Sequence, residues 1–185
     1  PPRSTLFPYT TLFRSRMMMD EQKYLLLDWG DTLMKVYPES QGPMKDWRHL
    51  EVFPHAIRWL GELKKQGWQI ILVTNAQESD EQDIWDALHR VGLGWVVDRI
   101  FCYRNLGLMK PDLAFFQKIL EQLDAQPRQL TMLGDDFAVD VQGANLAGIP
   151  AIWFNPNSSD EPSGDHFCTM HHYRELLQTL QTLGR

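Results

Sequence analysis

Short, mostly apolar runs that each stop at a polar residue, with helical periodicity between them, constrain this chain more than any other feature. Tyr24 to Leu27 stops at Asp28, Trp68 to Val73 stops at Thr74 and Asn75, and Leu130 to Leu133 stops at Gly134, Asp135 and Asp136. Ile100 to Tyr103 and Ala151 to Phe154 complete the set. Apolar runs of this length without alternation fit strands buried on both faces of a parallel sheet. Between them, Pro54 opens an amphipathic helix with Ala56, Ile57, Leu60 and Leu63 on one side and Gly67 as its stop. Ser79 and Gln82 form a capping box for a helix carrying Ile84, Trp85, Leu88 and Val91, which Gly92 closes. Pro111 opens a helix with Leu113, Phe116, Ile119, Leu120 and Leu123; another runs through Ala147 to Gly148, and Tyr173 to Leu183 is a closing helix. Strands alternating with helices predict right-handed crossovers and a three-layer α/β fold, a mostly parallel sheet with helices on both faces.

Composition narrows the function classes. The 185 residues are 43% hydrophobic and 23% charged, proportions of one globular domain that needs no staple to fold. No apolar run approaches the roughly 20 residues of a membrane helix, so no membrane is expected as partner. Cys102 and Cys168 are too few for a disulfide framework, which fits a cytoplasmic protein with reduced thiols. A net charge of −6 and a pI of about 5.5 argue against nucleic acid, whose footprint is a basic patch. Residues 1–16 do not read as native: Thr5 to Ser15 resembles the in-frame translation of a short-read sequencing adapter, and Met17, Met18 and Met19 follow as alternative starts. That segment carries Arg3, Arg14 and Arg16 and no acid, so without it the chain is more acidic still. Residues 17–185 are expected to form a single domain.

In open parallel sheets, ligands bind beyond the carboxyl ends of the strands. Those ends collect Asp28, Asp31 and Thr32 from the first strand, Thr74 and Asn75 from the second, and Asp135, Asp136 and Asp140 from the fourth, with Lys110 opening a helix nearby. Carboxylates gathered on one rim require raised pKa values or a bound cation. Magnesium is the natural cation, a hard ion held by one or two carboxylates together with phosphate oxygens and water. The lysine and a threonine hydroxyl suit the remaining phosphate oxygens. Asp136 serves equally well as a helix N-cap. The six histidines lack metal-ligand spacing and are assigned to the surface, Cys102 to the core, and the seven tryptophans mostly to the core. Trp29 and Trp47 are placed to touch substrate.

Four motifs in order, LLLDWGDTL, ILVTNA, LMKPDLAFF and MLGDDFAVDVQGANLAGIPAIWF, resemble those of the haloacid dehalogenase superfamily. The match runs from about Tyr24 to Phe154. The resemblance implies a Rossmann-like fold and a magnesium-dependent phosphohydrolase in which Asp28 is the nucleophile and Thr74 and Lys110 complete the catalytic set. Thr32, Asn75 and Trp29 are expected at the substrate, and Asp28, the Gly30 carbonyl, Asp135, Asp136 and Asp140 at the metal, the resemblance giving Asp140 the role of supporting the shell or orienting Lys110.

One position departs from the family pattern. Phosphatases of the family carry an aspartate two residues after the nucleophile, and this chain has Gly30 there, with Asp31 displaced by one. That carboxylate protonates the leaving alkoxide and then activates water, worth about 10² to 10⁴-fold. Its loss leaves three outcomes: Asp31 takes over, substrates with good leaving groups are favoured, or turnover is slow. Dehalogenases of the family also lack the aspartate, yet need no magnesium site, and this chain keeps the acids for one. A weakly catalytic phosphate- and metal-binding module is the other alternative. A phospho-accepting signalling domain is disfavoured because the adjacent acidic pair follows the fourth strand rather than the first. About forty residues separate Thr32 from Thr74, room for a loop but not for a large cap. An open site of this kind admits a bulky phosphorylated substrate or borrows closure from a second copy of the chain, with Met34 to Val52 and Asn155 to Asp165 setting specificity.

Overall fold

The computed structural model describes residues 22–185; the segment read as adapter-derived, 1–16, lies outside the described residues. Six parallel strands form one sheet: β1 Tyr24–Leu27, β2 Gln69–Thr74, β3 Arg99–Cys102, β4 Leu130–Gly134, β5 Ala151–Phe154 and β6 Phe167–Met170, in the order β3-β2-β1-β4-β5-β6. The four residues of β1 are all buried, because the strand sits between β2 and β4 and under helices on both faces. Its side chains alternate between two cores. Leu25 and Leu27 pack with Ile70, Leu72 and Leu133 on one face, and Tyr24 and Leu26 with Ile71, Val73 and Met132 on the other.

The helices fill these two cores. Helix α1 (Ala56–Lys65) contributes Leu60 and Leu63 to the first face, and α2 (Glu81–Arg90) contributes Ile84 and Leu88. After a single turn, α3 (Tyr103–Leu106), helix α4 (Leu113–Leu123) covers the second face with Phe115, Phe116 and Ile119. A π-type turn at Phe137–Gln142 leads into the short α5 (Gly143–Leu146), and α6 (Leu176–Thr182) returns Leu176 and Leu180 to the first face. The three-layer architecture expected from the alternation is the one observed.

Several boundaries differ for local reasons. The capping box of α2 is Asp80 with Asp83, one residue beyond the Ser79 and Gln82 pair, since the Asp80 carboxylate accepts the Asp83 N–H and Asp83 answers the Asp80 N–H. Asp112, not Pro111, caps α4, accepting the Ala114 N–H. Tyr103 begins a helical turn instead of ending β3, because the Asn105 side chain binds the Cys102 N–H and diverts the chain. The sixth strand went unread: FCTM at the sheet edge is mostly half-exposed and has no continuous apolar signature. Trp29 and Trp68 are core, but Trp95 stands 59% exposed. Five histidines are exposed as expected, whereas His171 is half-buried at the end of β6, where it binds a backbone carbonyl.

Candidate active site

The sheet order reverses at β1, whose neighbours β2 and β4 are reached by connections running in opposite directions, and that crevice is where this topology places ligands. Asp28 leaves β1 there, held by its N–H on the Leu133 carbonyl at 2.9 Å. The chain then turns sharply. Leu33 and Met34 both donate to the Trp29 carbonyl, and Asp31 takes a left-handed conformation, φ 53°, which aspartate tolerates better than most residues. The Asp31 carboxylate accepts the Val36 N–H at 3.0 Å and so serves the turn.

Lys110 reaches the crevice from the other side and is only 4% exposed. Its three ammonium protons meet three acceptors: Asp28 Oδ1 at 2.6 Å, Asp140 Oδ1 at 2.7 Å and the Val73 carbonyl at 3.1 Å. Burial of the ammonium opposes its charge, but the Asp28 and Asp140 carboxylates outweigh burial and hold its pKa above the ordinary value. Asn75 brackets the lysine backbone, donating to the Lys110 carbonyl at 2.8 Å and accepting its N–H at 2.8 Å. Its amide positions Lys110, and the residue also lines the cleft over Asp28.

Thr32 is turned inward. Fully buried, its hydroxyl lies 3.0 Å from both Asp28 Oδ2 and Asp135 Oδ1, and accepts the Asp135 N–H at 3.0 Å. It fixes two carboxylates against each other and has no proton left for a substrate oxygen. Asp136 caps the π-type turn, its Oδ1 accepting from Ala138 and Val139, so its carboxylate stands apart from the cluster. Asp140 bonds Lys110 through Oδ1 and the Asp136 N–H through Oδ2. Its carboxyl lies so close to Gly134 that a Cβ there would overlap it, which is why β4 ends on glycine.

Asp28, Asp135 and Asp140 each bring a carboxylate oxygen within 4.8 Å of the others. Burial, aided by the Asp28 charge, raises Asp135 to about 6, and burial raises Asp140 to about 7 against the pull of Lys110. Oxygen-only donors, mutually repelling and partly desolvated, suit a hard divalent cation. Thr74 is buried beside them, its oxygen accepting the Ala76 N–H at 3.1 Å and leaving its proton available. A cleft of about 320 Å³ opens over Asp28, bounded by Trp29, Gly30, Val36, Met44, Trp47 and Thr74. Between β1 and β2 the chain supplies only the irregular loop, with one 3-10 turn at Met44–Asp46, and α1, so no cap domain covers the cleft from this connection.

Sequence reasoning missed two supports. Tyr173, read as a helix start, is buried and donates its hydroxyl to the Thr32 carbonyl at 3.0 Å, with its phenol pKa pushed well up by burial and by Asp28 and Asp135. The Trp153 indole donates to the Asp135 carbonyl at 2.8 Å. Neither has a local signal, since each meets its partner only across the sheet.

A parallel α/β sheet with an aspartate, a buried lysine and an acidic cluster at its switch point defines a class of hydrolase-like folds. The chain matches the family described as "Hydrolase: haloacid dehalogenase-like hydrolase" over residues 7–148, and it belongs to that family. It is 30% identical over 157 residues, 84% of its own length and 59% of the other's, to a ribulose-1,5-bisphosphate 5-phosphatase of Halopiger xanaduensis. An uncharacterized protein from Listeria monocytogenes serotype 4b shares its fold with TM-score 0.76 and 24% identity, covering 88% of this chain and 98% of that one. A HAD phosphatase from Thermococcus onnurineus gives TM-score 0.61 at 26% identity, over 71% of this chain and 59% of the other. The chain spans about half the length of the curated relatives it matches.

Proposed function

We propose that this chain is a magnesium-dependent phosphohydrolase acting on small phosphomonoesters through a covalent intermediate on Asp28. The observation that carries the reading is the closed network in which Lys110 grips Asp28 Oδ1 while Thr32 grips Asp28 Oδ2. A carboxylate held at both oxygens is pre-aimed, which lowers the cost of reaching an in-line geometry. Asp28 attacks phosphorus, the bond to the leaving oxygen breaks, and an acyl phosphate forms. Water then attacks the same phosphorus, the bond to Asp28 breaks, and inorganic phosphate leaves. The Thr74 hydroxyl donates to a transferring oxygen, and the Lys110 charge, held beside Asp28, offsets the charge that develops on the transferring group without a bond to it. Asp28, Asp135 and the Gly30 carbonyl would hold the magnesium, with Asp140 behind them; bound there, it neutralises phosphate charge.

Gly30 shapes the substrate range. A Cβ at this position would meet Val36 Cγ2 at 2.9 Å, so the space of a side chain is already filled. Asp31 is tied to the loop and does not replace the missing acid. The reading is therefore of an enzyme favouring leaving groups that depart without a proton. Val36, Met44 and Trp47 give the cleft an apolar wall, Glu78 is its outlying charge, and among the described residues no Lys, Arg or His lines it. This favours apolar, uncharged leaving groups over a second phosphate. The same filled space at Gly30 supports a second reading, a module that binds phosphate without turnover.

The test is phosphate release from alkyl, aryl and acyl phosphates, with magnesium or EDTA, for wild type and Asp28→Asn. Magnesium-dependent release that falls by at least about a thousandfold in Asp28→Asn supports the enzyme. Silence across the whole panel, with phosphate still bound, favours the module.

A further inference from the structure

Behind the turn that carries Asp28 lies a second cleft of about 520 Å³ whose chemistry is the reverse of the first. Lys35, His55, His171, His172 and Arg174 line it, and among the described residues no Asp or Glu does, in a chain whose net charge is −6. Its floor is aromatic: Phe53 meets Phe154 edge-on with centroids 5.0 Å apart, and Phe154 meets Tyr173 at 5.3 Å. The volume lies in the range of small-ligand sites.

Two polar groups in this cleft lack ordinary partners. Lys35 is paired with Glu51, but no carboxylate pairs with Arg174 among the described residues; its Nη2 rests 2.6 Å from His55 Nε2. His171 Nδ1 lies 2.6 Å from the Asn155 carbonyl, so that nitrogen carries the ring proton, and Nε2 is buried with no hydrogen-bond partner. Buried polar atoms are nearly always satisfied, and an orphan on a residue that lines a cavity is one a ligand can complete once the ring turns toward it. As an acceptor, Nε2 does so by taking a ligand hydroxyl, the P–OH of a phosphate monoanion included.

We propose that this cleft is a second binding site, for a phosphorylated small molecule with a flat apolar body. The phosphate lies between the Arg174 guanidinium, whose planar fork matches phosphate oxygens, and His171, while the body rests on the floor formed by Phe53 and Phe154. The site does not depend on turnover at Asp28.

Calorimetric titration of the whole chain with phenyl phosphate in EDTA tests this, because without a cation the acids of the catalytic cleft repel a dianion. The expected result is saturable binding of one equivalent, weakened at least tenfold in Arg174→Ala and in His171→Phe and unchanged in Trp47→Ala. Inorganic phosphate should bind more weakly, lacking a body for the floor, and the His171 ring resonances should move on titration. Arg174 is exposed, so Arg174→Ala keeps the test open if His171→Phe fails to fold, with circular dichroism as the check. Absence of saturable binding, wild-type affinity in Arg174→Ala, or loss confined to Trp47→Ala would overturn the proposal. Benzoate binding more tightly than phenyl phosphate would overturn the assignment to phosphate.

Discussion

Two clefts flank one short segment of chain, and consecutive residues serve them: Lys35 lines the basic cleft and Val36 the catalytic one. At the catalytic end the charged groups are engaged with one another. All three Lys110 protons are used, by Asp28, Asp140 and the Val73 carbonyl. In the basic cleft, among the described residues, an arginine meets a histidine and no carboxylate, and an imidazole nitrogen has no hydrogen-bond partner. The contrast separates two physical states of polar groups. A closed network is rigid and fails as a unit when one member is lost, whereas unengaged groups are individually dispensable to the fold and available to a ligand.

The largest effect should come from Lys110→Met. It leaves two buried carboxylates without their counter-charge, and breaking such a pair from one side costs about 3 to 5 kcal/mol. Urea unfolding should register that loss together with the disappearance of phosphate release, while Arg174→Ala should leave stability nearly unchanged. Equal effects from the two variants would erase the distinction between the clefts.

A pH dependence comes next. Asp135 at about 6 and Asp140 at about 7 keep their protons in the fold well above the ordinary carboxylate range, near 4, where the unfolded chain releases them. The folded state thus binds more protons between about pH 4 and 7, so in EDTA stability should fall as pH rises through that window and level off above it. Saturating magnesium favours the ionised carboxylates and should flatten the decline. Parallel urea midpoints in EDTA and magnesium from pH 5 to 8 would break the assignment of the cluster as a cation site.

Gly30→Asp combined with Val36→Ala sharpens the reading of the catalytic cleft. The second change clears the methyl that a Cβ would strike at 2.9 Å. Alkyl phosphate turnover should rise by up to about 10²-fold relative to aryl phosphate turnover, as a general acid is restored. An unchanged ratio would mean that proton transfer does not limit this site.

The smallest effect is expected at the wall between the clefts. Tyr173→Phe removes the hydroxyl that holds the Thr32 carbonyl and should cost about 1 kcal/mol by thermal or urea unfolding, with a few-fold decrease in phosphate release. A loss as large as that of Lys110→Met would show that the two clefts form one cooperative unit.

The fold was legible where burial is uniform. Apolar runs such as Leu25 to Leu27 announce a central parallel strand because both of their faces must leave water. The edge strand Phe167–Met170, half in water, carries no such mark. Capping residues slipped by one at α2 because several acceptors stand in a row and only backbone geometry selects Asp80.

What the sequence determined by itself was the set of strands and helices at the heart of the sheet and the identity of the acids, the lysine and the threonines at its rim. These follow from local periodicity and from where each run stops. Tertiary structure alone decided what those residues face: that Thr32 and Asn75 act as supports, that Asp136 caps a helical turn, and that His171 and Arg174 line one cleft with Phe53 and Phe154. The reason is physical. A side chain's hydrogen-bond partner here lies up to 141 residues away, as Tyr173 is from Thr32, and spacing along a chain carries no information about partners that only the crossover connections bring together.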